Sequence, residues 1–483
     1  MRADPLLMDL YEMTMVAGYL RHGIAQSRAV FDLYFRDNPF GGGYAVFAGL
    51  EPALDHLEAL RFGAEELRYV EGLGLFDRRF LDYLRDFRFG GDVTAVAEGE
   101  VVFAGEPLLS VEAALGEAQL VETALLNIIN FQTLVASKAA RVLHEADSGT
   151  EASIVEFGAR RAQGPDGALS ASRAAFVGGA AGTSLLAAGR AFGIPVSGTQ
   201  AHSWVMAFPT ELDAFRAYAE AFPDHCVLLV DTYDTLHSGL PNAITVAGEL
   251  RARGHSLQGI RLDSGDLAYL AKEARRLLDE AGFPGVRILA SNELDEHVIE
   301  SVRKEGGRVD IYGVGTRLVT AAGERGGALG GVYKLVELDG EPRIKVSSDR
   351  AKSTIPGAKR LWRVRRGSDP GGRFEMDVIA RPDESPGPGE TVRDPGHPMR
   401  RTRIPARAHL EEIRSRVMRG GARVGEAPPL TAVAARARER LERLPEGCRR
   451  LLNPHVYRVA LSEGLDTMRS RMIEEAAGEP QDR

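Results

Sequence analysis

Residues 257–282 read LQGIRLDSGDLAYLAKEARRLLDEAG, a short apolar run that ends in charged and small residues and leads into a helical pattern. From Leu267 to Leu278 the apolar side chains recur at spacings of three and four, which places them on one face of a helix. Asp266 precedes this helix as a candidate N-cap, and Gly282 can end it. A strand followed directly by a helix is the repeating unit of a parallel sheet.

The same order of strand and helix recurs on both sides of this segment. Short apolar runs cover 226–230, 286–290 and 309–312, and each ends in polar or small residues. Residues 293–306 repeat the helical pattern, with Asn292 as the predicted cap. Because strands read as continuous apolar runs when both faces are buried, we predict an α/β fold with a parallel sheet. We interpret it as an irregular TIM-like α/β barrel, with an α+β N-terminal domain and a C-terminal extension.

Groups suited to catalysis stand where the predicted strands end, which is where α/β barrels carry their chemistry. They are His202 in the stretch 198–204 (GTQAHSW), Asp231, Arg261 with Asp263 and Asp266, Asn292, and Gly315 with Thr316. The stretch 198–204 follows an apolar run at 191–196 that we predict as a strand. A histidine in such a turn can transfer protons or act as a nucleophile. An arginine can bind a carboxylate or phosphate, and carboxylates can hold Mg²⁺ together with substrate phosphates.

Each of these groups also has a structural interpretation. A histidine in a loop is more often a hydrogen-bonded structural residue than a catalytic one. Arg261 beside two carboxylates can be a salt bridge at a helix start, and a Gly-rich turn such as 313–316 is often only a tight turn. Together, the groups favour a phosphate-bearing, metal-bound substrate.

The composition favours a cytoplasmic enzyme. The 483 residues carry 60 basic and 68 acidic side chains, a net charge of −8, which does not suggest nucleic acid or an anionic membrane as the main partner. Cys226 and Cys448 are too few for a disulfide framework or a Cys-based zinc site. Acidic residues interrupt the apolar residues near the N-terminus, so we expect no signal peptide there. No window reaches the roughly 18 apolar residues of a membrane span.

The pattern of elements divides the chain into three predicted segments. They are an N-terminal α+β domain at 1–137, a barrel domain at 138–335 and a C-terminal extension at 336–483. We expect the extension to pack on the N-terminal domain. Residues 6–16 and 121–142 predict helices, and the glycines within 90–111 divide that region into short strands.

Motifs along nearly the whole chain resemble those of the nicotinate phosphoribosyltransferase family, within the type II phosphoribosyltransferases. The motifs are DLYE at 9–12, FRDNPF at 35–40 with Gly43 and Tyr44, NFQT at 130–133, EFGARR at 156–161, GTQAHS at 198–203, DTY at 231–233, 259–266, GVGT at 313–316, GGVYKL at 330–335, 352–359, Asn453 with Pro454, Tyr457, and Leu461 with Ser462. Several linked motifs in one order are more specific than any single motif.

The resemblance implies a reaction. Nicotinate and phosphoribosyl pyrophosphate would give nicotinate mononucleotide and pyrophosphate, the entry step of NAD salvage, with Mg²⁺ bound and ATP as a co-substrate. His202 would be transiently phosphorylated by ATP. The family is dimeric, so we expect a homodimer in which Tyr11 reaches the active site of the partner copy.

The resemblance also assigns roles to matching residues. Tyr11, Thr199 and Arg261 match nicotinate contacts, while Phe157 and Arg160 match the aromatic and basic residues around the pyridine ring and phosphates. On the phosphoribosyl side, Gly315 and Thr316 match the phosphoribosyl pyrophosphate contact. Asp231 and Asp263 match carboxylates that organise ribose hydroxyls, Mg²⁺ or the histidine. For Tyr11 and Phe157, core packing is the alternative that the residues alone favour.

Other substrates and classes stay open as alternatives. Nicotinamide enzymes resemble this chain around Phe176–Val177–Gly178–Gly179–Ala180, but where they place an Asp for the carboxamide, this chain has Ala180. Since an Asp would repel a substrate carboxylate, Ala180 favours the acid. Quinolinate would call for a denser basic cluster. A catalytically silent paralogue is disfavoured, because it would have no need of these site residues together. An aldolase is disfavoured as well, because it would need a Schiff-base lysine at a strand end, which these strand ends lack.

Overall fold

The computed structural model describes residues 4–347, 353–367, 369, 371–397 and 399–478, so Lys352 of the matched motif 352–359 lies outside the described residues. The chain forms two compact units, one of Met1–Leu134 with Glu324–Arg483 and one of Val135–Gly323. No helix within the described ranges is long and apolar enough to cross a membrane. Cys226 and Cys448 are both buried and unpaired.

The first unit begins with helices and short strands. Its elements up to residue 134 are α1 (Leu10–Arg21), β1 (Arg28–Phe35), β2 (Ala45–Val46), α2 (Leu50–Ala59), α3 (Ala64–Gly72), α4 (Arg78–Asp86), β3 (Asp92–Val96), β4 (Val101–Val102), β5 (Leu109–Ala114), α5 (Leu115–Gln119) and the start of α6 (Glu122–Asp147). The predicted long helix and the short strands within 90–111 are confirmed. The first helix starts later than predicted, because Asp9 and Glu12 form a capping box that fixes its beginning at Leu10.

The second unit alternates strands with helices. Its elements are β6 (Ser153–Glu156), α7 (Gly164–Val177), β7 (Gly182–Thr183), α8 (Leu186–Phe192), α9 (His202–Met206), α10 (Glu211–Ala221), β8 (Val227–Leu229), α11 (Leu240–Ala252), β9 (Gly259–Leu262), α12 (Leu267–Glu280), β10 (Arg287–Ala290), α13 (Glu296–Lys304), β11 (Ile311–Val314) and α14 (Thr316–Val319).

These strands form a parallel sheet in the order β7-β6-β11-β10-β9-β8. An isolated parallel bridge between Thr183 and Val196 extends the β7 edge. Leu228, Ile260 and Ile288 are fully buried, as expected for strands covered on both faces. The predicted α/β class is confirmed. The barrel is irregular, since six strands are hydrogen-bonded in the described sheet where a regular barrel has eight.

Two details of the predicted second unit are wrong. The apolar run at 191–196 is not a strand: its first two residues end α8, and Gly193, with φ of 68°, closes that helix. Only Val196 makes a strand-like bridge. The cap of α13 is Asp295 rather than Asn292, because the Asp295 carboxylate accepts the backbone N–H groups of His297 and Val298.

The remaining elements return to the first unit. They are β12 (Gly331–Leu338), β13 (Glu341–Pro342), β14 (Arg360–Arg365), β15 (Phe374–Ala380), β16 (Thr391–Arg393), β17 (Arg401–Arg403), β18 (His409–Glu412), β19 (Arg414–Arg419), β20 (Ala422–Arg423), α15 (Leu430–Arg443), α16 (Glu446–Arg449), β21 (Arg458–Leu461) and α17 (Glu463–Gly478).

Strands from both ends of the chain share one sheet in the first unit. Its order is β13-β12-β1-β5-β3-β19-β20, with β1 antiparallel to β12 and β3 antiparallel to β19. A second sheet has the order β17-β16-β21-β15-β14-β18, and β2 pairs with β4. The shared sheet explains why the two ends of the sequence form one compact unit.

Candidate active site

Arg261 is held rigidly near the carboxyl end of β9. The apolar run at 257–260 predicts a strand that ends before Arg261, but β9 runs to Leu262, so Arg261 lies within it, with its side chain 15% exposed. Its Nε donates to Ser291 Oγ over 2.8 Å and its Nη1 to Thr199 Oγ1 over 3.0 Å. Its Nη2 lies 3.0 Å from Asp263 Oδ1. A guanidinium fixed by three partners is prepared to bind a planar anion without reorganising.

Asp263 stays ionised although it is partly buried. Burial acts to raise the pKa of Asp263, but the hydrogen bond from Ser291 (2.5 Å) and the charge of Arg261 outweigh it and lower that pKa below its ordinary value. The second carboxylate oxygen, Oδ2, lies 3.6 Å from His202 Nε2. Asp263 therefore presents a negative charge to the histidine.

His202 is the first residue of α9, and its side chain is 41% exposed. Its Nδ1 lies 3.2 Å from Thr232 Oγ1. Thr232 can therefore fix the proton position on Nδ1, while the negative charge of Asp263 faces Nε2 from 3.6 Å. An imidazole that is both oriented and accessible is suited to nucleophilic attack on a ligand.

Asp231 follows β8 and connects the loops after β8 and β9. Its Oδ2 accepts the Asp263 backbone N–H over 2.7 Å and the Ser264 hydroxyl over 2.6 Å. Its Oδ1 is buried and has no hydrogen-bond partner among the described residues. A buried carboxylate oxygen without a partner is costly unless a ligand or cation completes it. Oxygen is also the donor that Mg²⁺ prefers, although the described residues contain no cluster of three metal-ligating side chains.

Phe157 places an aromatic ring beside Arg261. The ring lies over Gly313 in β11, where an added Cβ would stand 2.6 Å from the ring atom Cδ2. The guanidinium carbon of Arg261 lies 5.8 Å from the ring centroid. An aromatic face next to a fixed cation matches a flat, anionic ring such as a pyridine carboxylate.

Thr316 and Gly315 lie at the end of β11, where Thr316 begins α14. The Thr316 hydroxyl bonds to Arg161 and to Glu293. The predicted Arg160 lies on the same short helical turn, Ala159–Arg161, with an exposed side chain. The contact to Thr316 comes from the neighbouring Arg161.

Tyr11 belongs to the first unit. It lies in the first turn of α1, where its side chain is 44% exposed. Partial burial and the nearby carboxylate of Glu122 raise the pKa of Tyr11. Its hydroxyl therefore stays protonated and can donate a hydrogen bond at neutral pH.

The sequence did not single out four further residues whose side chains bond to the predicted site residues. They are Ser291, Thr232, Arg161 and Glu293. The second arginine of EFGARR was a usable signal for Arg161. The other three stand beside residues already singled out, in the loops that follow strands.

The second unit thus defines an α/β barrel-like protein whose charged and polar side chains gather at the carboxyl ends of parallel strands. That is where enzymes of this class bind and convert their substrates. A fixed arginine, ionised carboxylates and an accessible histidine indicate anionic substrates.

Comparisons with known proteins identify the family. Three family models match in chain order: the nicotinate phosphoribosyltransferase N-terminal domain at residues 6–130, the nicotinate phosphoribosyltransferase family at 152–368 and the nicotinate phosphoribosyltransferase C-terminal domain at 358–469. The chain belongs to the nicotinate phosphoribosyltransferase family. The resemblance found in its motifs is confirmed.

Relatives match over nearly the whole length. The nicotinate phosphoribosyltransferase of Bacillus subtilis is 43% identical, over 97% of this chain and 94% of its own. Nicotinate phosphoribosyltransferase 2 of Arabidopsis thaliana is 40% identical, over 95% and 92%. The crystal structure of human nicotinic acid phosphoribosyltransferase superposes with a TM-score of 0.84 at 34% identity, covering 97% of this chain and all of its own.

Proposed function

We propose that the protein transfers the phosphoribosyl group of phosphoribosyl pyrophosphate to nicotinate, giving nicotinate mononucleotide and pyrophosphate in NAD salvage. The observation that carries the proposal is the guanidinium of Arg261, fixed by Thr199, Ser291 and Asp263 beside the ring of Phe157. Membership of the nicotinate phosphoribosyltransferase family supports the same reaction.

Nicotinate binds with its carboxylate on Arg261 and its ring against Phe157. The pyridine nitrogen then attacks C1 of the ribose, and the bond from C1 to pyrophosphate breaks. Positive charge grows on the ribose ring while negative charge grows on the leaving group, so the site has to stabilise both. Asp231 and Asp263 contact the ribose. Thr316, Gly315 and the basic turn that contains Arg160 bind the phosphates.

Mg²⁺ neutralises charge on the pyrophosphate when it is bound. Asp231 would hold it through its unpartnered Oδ1, with water and substrate phosphates as further ligands. No full protein ligand set is needed for this ion, since Mg²⁺ usually keeps several waters.

In the proposed cycle, hydrolysis of ATP supplies free energy in addition to the release of pyrophosphate. An unprotonated nitrogen of His202 attacks the γ-phosphorus of ATP, a nitrogen–phosphorus bond forms, and the bond to ADP breaks. The proton stays on Nδ1, where the Thr232 hydroxyl accepts the hydrogen bond, and Nε2 attacks. Water later cleaves the phosphohistidine and releases phosphate.

The proposal includes a homodimer in the cytoplasm. Tyr11 would complete the nicotinate pocket of the partner copy. Its exposure on α1, together with that of Leu10 and Met15, leaves an apolar surface that suits such a contact.

The test incubates purified protein with nicotinate, phosphoribosyl pyrophosphate and Mg²⁺, with and without ATP, beside a nicotinamide control. We expect nicotinate mononucleotide only from the acid, and stimulation by ATP that His202→Ala abolishes. His255→Ala is the matched control, because His255 pairs with Asp224 ahead of the strands β9 and β8, at their amino ends. Product from nicotinamide alone would reverse the assignment drawn from the buried Ala180, and absence of product from both would refute the proposal.

A further inference from the structure

Three side chains from the loops after β6, β10 and β11 form a closed set of hydrogen bonds at the carboxyl edge of the sheet. Arg161 Nη1 donates to Thr316 Oγ1 over 2.8 Å and pairs with Glu293 Oε1 at 2.6 Å. The Thr316 hydroxyl in turn donates to Glu293 Oε1 over 3.2 Å. We call this set, Arg161, Glu293 and Thr316, the clasp. It joins the loops of three strands that are neighbours in the sheet.

Fold stability does not explain the clasp. The side chains of Arg161 and Glu293 are 63% and 50% exposed, and an ion pair this exposed contributes little because water screens it. The residue before Glu293, Asn292, has a φ of 107°, which costs energy in any residue with a side chain. The backbone is therefore strained at Asn292, the residue that positions Glu293 next to Thr316.

Glu293 occupies the donors that a phosphate would use. A phosphate oxygen accepts hydrogen bonds, and both the Thr316 hydroxyl and the Arg161 guanidinium are donors. In the clasp both of them point to one carboxylate oxygen. That carboxylate also repels an incoming phosphate, because both carry negative charge.

We infer that Glu293 competes with a phosphate of phosphoribosyl pyrophosphate for Arg161 and Thr316, and that the clasp opens when this substrate binds. Arg161 is then a phosphate-binding residue. Glu293 is a positioning residue that holds the two donors in the free protein and limits the affinity for the substrate. The inference rests on the proposed function, because it takes phosphoribosyl pyrophosphate as the ligand.

Two substitutions separate competition from a structural role. Glu293→Gln removes the competing charge, so the KM for phosphoribosyl pyrophosphate should fall about three- to tenfold with kcat nearly unchanged. Arg161→Gln removes a donor, so the same KM should rise about tenfold. If the clasp only stabilised the loops, both variants would break it and would shift KM in the same direction. The gain in Glu293→Gln should also shrink as ionic strength rises.

Binding of phosphoribosyl pyrophosphate with Mg²⁺, measured by calorimetry without nicotinate, gives a second readout. Glu249→Gln is the matched control, since Glu249 forms an exposed ion pair with Arg216 between helices α10 and α11 and should leave affinity unchanged. An unchanged or higher KM in Glu293→Gln, with active wild-type protein, would overturn this inference alone. Wild-type protein that neither binds the substrate nor forms product would overturn the proposed function, and the inference with it.

Discussion

Two arginine–carboxylate clusters in this protein use the same chemistry for different ends. In the first unit, Arg363 is fully buried and bonds Asp377, the backbone carbonyl of Val101 and Glu100, the last at 2.5 Å. In the second unit, Arg261 remains partly exposed among hydroxyl and carboxylate partners. One guanidinium is sealed inside protein, while the other has a face left for a ligand. Access to solvent, rather than residue type, distinguishes the buried cluster from the candidate site.

Protonation separates the two regions as well. In the first unit, burial raises the pKa of Glu106 well above its ordinary value, and the Asp377 carboxylate adds to the effect. In the second unit, partners outweigh burial and lower the pKa of Asp263. A core tolerates a neutral acid, whereas an ionised Asp263 keeps a negative charge facing His202.

The largest expected effect comes from removing the buried arginine. Arg363→Met leaves Asp377 buried without its arginine and takes one of two arginine partners from Glu100, which keeps Arg440 at 2.9 Å, so the free energy of unfolding should fall by about 3–5 kcal/mol. Urea denaturation measures it. The folded fraction should keep its kcat/KM, because Arg363 belongs to the first unit and the cluster around Arg261 belongs to the second.

Its control is Arg366→Met, which removes an exposed pair with Glu375 and should leave stability nearly unchanged. A stable Arg363→Met protein would show that this cluster is no more structural than an exposed ion pair.

Arg261→Lys should have the opposite signature. A lysine has one charged centre and no planar fork, so it cannot bond Ser291, Thr199 and Asp263 while also binding a carboxylate. We expect kcat/KM for nicotinate to fall about 100-fold, or about 2.7 kcal/mol, with a small change in unfolding free energy. Steady-state kinetics and thermal melts measure the two. Equal losses in both would place Arg261 with the buried cluster.

The sequence predicted which side chains gather around Arg261 better than it predicted the cluster around Arg363. Asp263 and Asp231 follow short apolar strands and Arg261 lies near the end of one, and parallel strands bring their carboxyl ends to one edge. Arg363 lies opposite Asp377 in the neighbouring strand β15, but Glu100 stands 263 residues away along the chain, so no local pattern pairs Arg363 with Glu100. Contacts of long sequence separation depend on packing that a single sequence does not display.

Within the second unit, helix ends and hydroxyl partners could not be predicted from residue type alone. Asn292 and Asp295 are both good helix caps, and only the geometry of the chain selects Asp295. The apolar run at 191–196 suits a strand by composition, but Gly193 ends a helix inside it. Ser291 and Thr232 carry no pattern, because a hydroxyl joins a site only through its neighbours in space.

Buried acids of the first unit should make its stability depend on pH. Burial raises the pKa of Glu12 from 4.5 to about 7, against the opposing hydrogen bonds from Thr123 and Asp9. A raised folded-state pKa means that stability is fully present below pH 4.5 and is lost as the pH rises through about 7. Glu12→Gln should remove about 1–3 kcal/mol of that dependence.

Urea denaturation of Glu12→Gln at pH 5 and pH 8 measures this change. Glu71→Gln on the exposed side of α3 is the control and should keep the wild-type pH dependence. An unchanged pH dependence in Glu12→Gln would mean that partners, as at Asp263, and not burial, set the ionisation of this carboxyl.

The smallest expected effect comes from displacing the Phe157 ring. It tests whether this ring is held as rigidly as the guanidinium of Arg261. Gly313→Ala would place a Cβ 2.6 Å from the Phe157 ring, so the ring has to shift relative to Arg261. We expect the KM for nicotinate to rise about fivefold, or about 1 kcal/mol, while the KM for phosphoribosyl pyrophosphate stays near its wild-type value. Gly248→Ala is the control, because nothing lies within 4 Å of the added Cβ on α11. A wild-type KM for nicotinate in Gly313→Ala would show that the ring adapts, and that Arg261 alone sets the position of the pyridine carboxylate.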